Sequence, residues 1–391
     1  MASNQGPHQD DHMASHKLLW KHTDPTSTRV FQFKSLIETK YNLRLQEYED
    51  LRLWSIANIG KFWEEVWHFT GVRASCSFTN AIGENAAMFP RPMFFKGARL
   101  NFAENLLFPR CSPDENSIAV ISVGEDSREN VTWKQLRGRV GHCSAALRAL
   151  GVQEGDRVAG YVANHTNALV AMLSATTIGA VWTAVSPDTG VHAVLDRLQQ
   201  IEPVVLFADN AVKYNGKIHE VHDKLRDVAK ELRQLKAVVV FTTIKDHRFS
   251  FDDISISCGK ALPYEEFISL HNETHDSEIE FLQLQPDHPI YILYSSGTTG
   301  KPKCIVHGAI GTLIQHKKEH DIQCNIQPGD RLFYFTTCMW MMWHVRFPRS
   351  DFHSKNLLST NSSLTSPSSG WYLAWPVELQ LFYTTALHLD P

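Results

Sequence analysis

The chain has 391 residues, 43% of them hydrophobic and 20% charged, with a formal net charge of -4. That length supports roughly two to three domains with a large core, and the composition excludes a fully disordered or fibrous chain. The slight negative charge and the absence of a Lys/Arg-rich run argue against nucleic acid as the main partner, which leaves small-molecule chemistry as the leading class. The cysteines, Cys76, Cys111, Cys143, Cys258, Cys304, Cys324 and Cys338, are odd in number and scattered, with no CxxC pair, a pattern that fits a reducing compartment. No signal peptide, myristoylation motif or C-terminal peroxisomal signal is visible, so the cytosol is the expected location.

Residues 1–16 are polar and His-rich and are expected to form a disordered tail. Residues 17–110 read as a helical region. Within it Leu51, Trp54, Ile59, Phe62, Trp63, Val66 and Trp67 recur at helical intervals, with a break expected near Gly60. The tryptophans read as a helix face packed on the core rather than as a ligand site. Residues 111–343 change character. SIAVISV reads as a buried strand, and Thr132 with Gln135 forms a capping box for a helix ending near Gly151. RVAGYV, ALVAMLSATTIGA, VWTAV, HAVLDRLQQI, VVLFA, a helix around Lys224 to Leu235, and AVVVF follow. This alternation predicts an α/β fold of mostly parallel sheets flanked by helices, with ligands bound beyond the carboxyl ends of the strands.

A further strand, IYILY, runs into the stretch YSSGTTGKPK, Tyr294 to Lys303. Its glycines allow successive amides to point at a common centre, its hydroxyls add short donors, and its lysines add positive charge, a combination suited to phosphate. Gly297 and Gly300 are too close together for a Walker A loop, and Lys301 is followed by Pro302 instead of Ser or Thr. No GxGxxG opens a helix after the first strand either, so the Rossmann fingerprint is also missing. HKKEH, His316 to His320, matches an inverted zinc-peptidase pattern, but no further carboxylate ligand can be argued for it. A polar helix face is the better account, and no metal site is expected. Cys304 has no His or Asn partner arguable from sequence that would make it a nucleophile. Residues 344–391 form a contrasting tail with no sheet or helix period, including nine Ser or Thr between 354 and 369, and are expected to be irregular. Trp371 to Leu389 is apolar, but Pro376, Glu378 and its short length argue against a membrane span.

Tyr294 to Lys303 resembles the phosphate-binding signature of the AMP-forming acyl-CoA ligases and other adenylating enzymes. KGARLNFAENLL, GDRVAGYVANH, GAVWTAVSPDTG, VKYNGK and PKCIVHGAIGTLIQHKKEH resemble the acetoacetate-activating branch of that family, over about Trp20 to Trp343. The resemblance implies a two-step reaction. Acetoacetate attacks the α-phosphorus of Mg-ATP to release pyrophosphate, and the thiol of coenzyme A then displaces AMP. It implies further that Ser295, Ser296, Gly297, Thr298, Thr299, Gly300 and Lys303, with Lys301 the least fixed in character, hold the β- and γ-phosphates. TTCMWMMW resembles the segment lining the acyl pocket, with Trp340, Met341 and Met342 as walls, although Cys338-Met339 stands where the family usually reads Val-Gly. Core packing is the competing account of this run. Lys213 and Lys217 resemble basic positions set against the phosphates of coenzyme A, with solvated surface charge as the alternative. Small molecules, namely acetoacetate, ATP with Mg2+, and coenzyme A, are the implied partners, with other short-chain acids as alternative substrates. The family's later motifs, including a catalytic lysine, do not follow Trp343. The chain therefore reads as a fragment, an alternative transcript or a shifted reading frame, inactive or nearly so by itself, with a noncatalytic binding role as the other expectation.

Overall fold

The computed structural model describes residues 21–345 and 357–360, apart from residues 84, 85, 88, 257, 258, 272–277, 296–299, 329, 331 and 335. The expectation for residues 1–16 lies outside these. A single 3-10 turn, Pro25–Ser27, leads into α1 (Arg29–Tyr41), whose first turn is capped by the Thr28 hydroxyl. α2 (Tyr48–Ala57) and α3 (Ile59–Thr70) follow. The break lies at Asn58, near Gly60 as expected, and Gly60 sits in the first turn of α3. Its small size matters there for packing, since a Cβ would lie only 3.2 Å from Ile82 Cγ2. Trp67 of α3 is buried and stacks on Phe95 at 4.9 Å between ring centroids, as the core-packing reading of the tryptophans requires.

α4 (Phe102–Leu107) begins at Asn101, a fully buried residue that joins this helical region to the rest of the chain. Its Oδ1 accepts from the Glu104 amide at 3.1 Å, and its Nδ2 is directed at the carbonyls of Thr176, Thr177 and Leu282 at 2.9–3.1 Å. Next comes a small sheet, in which β1 (Ile118–Val123) pairs antiparallel with β2 (Arg128–Thr132). Thr132 and Gln135 form the expected reciprocal capping box of α5 (Trp133–Ala149).

The main body then unfolds in order: β3 (Arg157–Tyr161), α6 (Thr166–Thr177), β4 (Val181–Val185), α7 (Val191–Leu198), β5 (Val205–Asp209), the hairpin β6 (Ala211–Tyr214) and β7 (Lys217–Glu220), α8 (His222–Glu231), β8 (Ala237–Phe241), β9 (Lys260–Pro263), α9 (Tyr264–Ile268), β10 (Pro289–Tyr294), β11 (Cys304–Gly308) and α10 (Ala309–Lys318). A π-helical turn, Glu319–Gln323, extends α10, and α11 (Met341–Val345) and β12 (Leu357–Thr360) close the described chain. The seven-stranded sheet has the order β11-β10-β4-β3-β5-β8-β9, parallel throughout except for the β10–β11 pair. β12 pairs parallel with β1; residues 346–356 and 361–391, where an irregular tail is expected, lie outside the described residues. The free edge of β1 offers unpaired backbone groups, and Leu-Leu-Ser-Thr satisfies them as a four-residue strand without needing a sequence period.

Side-chain alternation splits this sheet between two cores. Val158, Trp182, Phe207 and Tyr291 point to the face covered by α5, α6 and α10. Tyr161, Val185, Leu206 and Ile292 point to the opposite face, covered by α7 and α8. α6 is apolar around most of its circumference and is correspondingly buried along its whole length. The Arg29 guanidinium clamps the π-helical turn through both Asp321 oxygens, at 2.7 and 3.0 Å, fixing α1 beside α10.

On the first face a set of histidines is buried at the sheet edge. His307 of β11 lies 4.9 Å from the Tyr291 ring, and the His344 ring of α11 packs tilted against Tyr291 at 4.2 Å between centroids. Burial pushes the His307 imidazole down to about 4. Burial, with His320, His307 and His344 as like-charged neighbours, holds His316 well below the ordinary imidazole range.

Two outcomes follow from this packing. Asn101→Ala removes a helix cap and leaves buried carbonyls unpaired, so it should destabilise the chain by on the order of 3 kcal/mol, read from urea unfolding. An ordinary histidine protonates near pH 6.5, so on acidification the unfolded state takes up the His307 proton first. The stability tied to a neutral His307 is therefore complete above about pH 6.5 and is lost as pH falls toward about 4. This amounts to about 2 kcal/mol between pH 7 and pH 5 for His307 alone. Thermal unfolding at those two pH values should show His307→Gln losing that part of the pH dependence, and an unchanged dependence would refute the assignment.

Candidate active site

The chain leaving β3 enters α6 on one face of the sheet, whereas the chain leaving β4 enters α7 on the other. Neighbouring strands that send their connections to opposite faces open a crevice at their carboxyl ends. β10 lies next to β4, so the glycine loop leaves the sheet at the same edge.

The described stem of that loop comprises Ser295 and Gly300 to Lys303. It is closed by the Ser295 amide, which donates to the Lys303 carbonyl at 3.0 Å, and by the Lys303 amide, which donates to Ser295 Oγ at 3.3 Å. Gly300 has φ 94, a conformation that glycine adopts without strain. α7 and the residues after it flank the stem. Gln200 Nε2 donates to the Pro302 carbonyl at 2.9 Å, and the exposed Lys301 ammonium lies 3.8 Å from Asp196. Tyr294 donates to the Arg197 carbonyl at 3.4 Å, and its burial pushes the phenol pKa up, so the hydroxyl stays a donor. Lys303 is exposed. Ser296, Gly297, Thr298 and Thr299, also expected in the phosphate site, lie outside the described residues.

Thr336 to Trp343 docks on the turn that follows β3. Trp343 is fully buried and its Nε1 donates to Asn164 Oδ1 at 2.9 Å, while Asn164 Nδ2 donates to the Thr336 carbonyl at 3.1 Å. Cys338 is buried and its thiol donates to the Ala163 carbonyl at 3.3 Å. Met339, in the position where glycine was expected, does not adopt a left-handed φ, so the backbone there does not depend on glycine. Of the expected pocket walls, Trp340 is 62% exposed, Met341 38% and Met342 half-buried. The core-packing account therefore describes Trp343, not these three.

Sequence reasoning gave no role to the group that supports this docking. Asp209, at the end of β5 and fully buried, accepts from the Ala163 amide at 2.7 Å and from His165 Nε2 at 2.8 Å. His165 Nδ1 accepts the Ala168 amide at 3.2 Å as the cap of α6, so Nε2 carries the proton toward Asp209. Both ring nitrogens are thus committed. The pair orients the turn after β3 and has no nitrogen available for a substrate proton. The available signal was a carboxylate placed directly after the apolar run VVLFA.

Lys213 and Lys217 lie on the β6–β7 hairpin, which begins beyond the carboxyl end of β5. Lys213 is paired with Asp126, and Lys217 is exposed. Within HKKEH, Glu319 bonds Gln315 at 2.7 Å and lies 2.7 Å from Lys318. Among the described residues no group of three His, Cys, Asp or Glu is arranged to hold a metal ion. Burial raises the Cys304 thiol pKa, which disfavours a thiolate nucleophile. No helix among the described residues is long and apolar enough to cross a membrane.

The AMP-binding enzyme family profile matches residues 109–347. The chain is 53% identical over 331 residues to a malonamoyl-CoA synthetase of Penicillium aethiopicum, covering 84% of this chain and 46% of that protein. It is 41% identical over 331 residues to an acetoacetyl-CoA synthetase of Danio rerio, covering 84% of this chain and 48% of the relative. Among solved structures, acetoacetyl-CoA synthetase from Streptomyces lividans aligns with a TM-score of 0.76 and 35% identity, over 86% of this chain and 49% of that one. The chain spans about half the length of the curated relatives it matches. It belongs to the AMP-binding family of adenylate-forming enzymes.

Proposed function

We propose that the chain carries the phosphate, acyl and coenzyme A sites of an AMP-forming acid–thiol ligase whose acid is acetoacetate. The observation that carries this reading is the meeting of three chemically distinct segments at one sheet edge. The glycine loop follows β10, the Thr336–Trp343 segment docks on the turn after β3, and the Lys213–Lys217 hairpin follows β5. Those strands lie in the order β10-β4-β3-β5, so the strand ends from which the three segments lead off fall within about 15 Å of one another at the usual strand spacing.

In this reading the amides and hydroxyls of Ser295, Ser296, Gly297, Thr298, Thr299 and Gly300, with the Lys303 ammonium, hold the β- and γ-phosphates. Lys301 supplies further positive charge. These donors stabilise the charge that accumulates on pyrophosphate as the acid's carboxylate oxygen bonds the α-phosphorus and the bond to the bridging oxygen breaks. Mg2+ bound with the nucleotide would supply further charge stabilisation at the phosphates that the glycine loop is proposed to hold. In the second step the thiol sulfur of coenzyme A bonds the acyl carbon, AMP leaves and a proton is released. Lys213 and Lys217 hold a phosphate of coenzyme A.

Acetoacetate and malonamate both carry a carbonyl two atoms from the carboxylate and differ by methyl against amino at the far end. Trp340, Met341 and Met342 offer that end apolar surface and only a weak sulfur acceptor, which suits a methyl group. The 53% identity to a malonamoyl-CoA synthetase favours malonamate as the second reading.

Calorimetric titration separates the phosphate site from the acid. Lys303→Met should weaken MgATP and pyrophosphate about tenfold or more while leaving AMP little changed, as expected for loss of a charged hydrogen bond to the outer phosphates. Equal loss for AMP, or none for pyrophosphate, would remove the glycine loop from the phosphate site. Because the chain by itself is expected to be inactive or nearly so, the acid is read from binding: with MgATP present, acetoacetate should bind more tightly than malonamate or butyrate in calorimetric titration. Preference for malonamate would reassign the acid, and equal binding of butyrate would abolish the requirement for the second carbonyl.

A further inference from the structure

Two hairpins outside the seven-stranded sheet meet through charged tips. The turn between β1 and β2 carries Glu125 and Asp126, and the turn between β6 and β7 is Asn215-Gly216. Asn215 and Gly216 have φ 52 and 71, the left-handed conformations of a tight hairpin turn. Their successive amides converge on one carboxylate. Asn215 N–H donates to Glu125 Oε1 at 2.5 Å and Gly216 N–H to Glu125 Oε2 at 2.9 Å. Lys213, on the strand entering the turn, bonds the adjacent Asp126, and exposed Lys217 starts the strand leaving it.

Converging turn amides with ammonium groups beside them make an anion site. Glu125 and Asp126 together bring about two negative charges to it, the charge of a phosphomonoester near neutral pH. Glu125 meets the amides with both oxygens, as two phosphate oxygens would. We propose that the acidic β1–β2 turn is an internal stand-in for the phosphomonoester of coenzyme A, occupying the Lys213–Lys217 hairpin and competing with that phosphate for it.

This proposal rests on the coenzyme A reading above and adds a competitor that the chain itself provides. Displacement is physically accessible. Asp126 is 67% and Lys213 30% exposed at the side chain, and ion pairs that open to water contribute little. Neither tip is part of a ladder of the main sheet, so their separation breaks no strand pairing there. Coenzyme A would trade its hydrated phosphate for the amides and Lys213 while Glu125 and Asp126 return to water.

The test compares coenzyme A with dephospho-coenzyme A, which differs only by the phosphomonoester, on the whole chain. Glu125→Gln/Asp126→Asn should bind coenzyme A about fivefold more tightly than the unaltered chain, with the gain shrinking as salt is raised and dephospho-coenzyme A unchanged. Unchanged affinity for coenzyme A, or an equal gain for both probes, would overturn the competition. Amide NMR of the unaltered chain supplies a check that needs no variant: adenosine 3′,5′-bisphosphate should shift Asn215 and Gly216, and silent amides would also overturn it. Lys213→Met/Lys217→Met distinguishes the two layers. If that variant binds coenzyme A as well as the unaltered chain, the coenzyme A reading of the hairpin falls. If it binds more weakly while the acidic variant is unchanged, only the competition falls.

Discussion

Parallel strands deliver their carboxyl ends to the same edge, and that constraint positions every segment of the candidate site. Asp209 makes the edge specific. Its buried carboxylate reaches from β5 to the backbone of the turn after β3 and to the imidazole that caps α6. A buried carboxylate is costly unless its oxygens are satisfied, and here both are, so the turn is held in one arrangement. Asn164 in that turn then fixes Trp343 and Thr336 together. The candidate acyl segment therefore inherits its place from the sheet through two polar side chains, in contrast to the exposed walls Trp340 and Met341.

Much of this architecture was legible because it rests on local period. The apolar runs RVAGYV, VWTAV, VVLFA and AVVVF became β3, β4, β5 and β8, and the Thr132–Gln135 box opened α5. Features that depend on remote partners were not legible. β11 and β12 are defined by the edges they complete, and β12 comes from a stretch with no period of its own. The Asp209 bond to Ala163 spans 46 positions and the Trp343 bond to Asn164 spans 179, beyond any local pattern. The glycine loop is a candidate phosphate site legible for the opposite reason, since its donors are contiguous in sequence. The hairpin lysines were readable as cations, but their acidic neighbours lie 87 positions or more away.

Polar groups divide by burial into two kinds. Asn101, Asp209 and Asn164 are buried and extensively bonded, so changing them alters the shape of the chain. Lys301, Lys303, Lys213 and Lys217 stand at or near the surface, where their pairings are screened and easily exchanged. The proposed phosphate sites draw on both kinds, with the rigid groups behind the edge and the exchangeable groups on it.

Topology also accounts for the failure of the Walker A pattern. In that arrangement a helix follows the loop, and its N-terminal amides and dipole supply part of the positive potential. Here the chain leaving the glycine loop enters β11 and pairs antiparallel with the strand it left, so no helix begins at the loop. Strand dipoles largely cancel, which leaves the potential to side chains and turn amides. Lys301 and Lys303, in place of the single lysine before a helix, compensate for that lost dipole. Gln200 and the Ser295–Lys303 backbone bond hold the stem on which they stand. The same logic extends to the β6–β7 hairpin, the second anion site proposed above, with turn amides and lysines but no helix terminus. Any hairpin that is to bind phosphate without a helix terminus needs cations brought to it, and acidic side chains of the same chain can then compete for them.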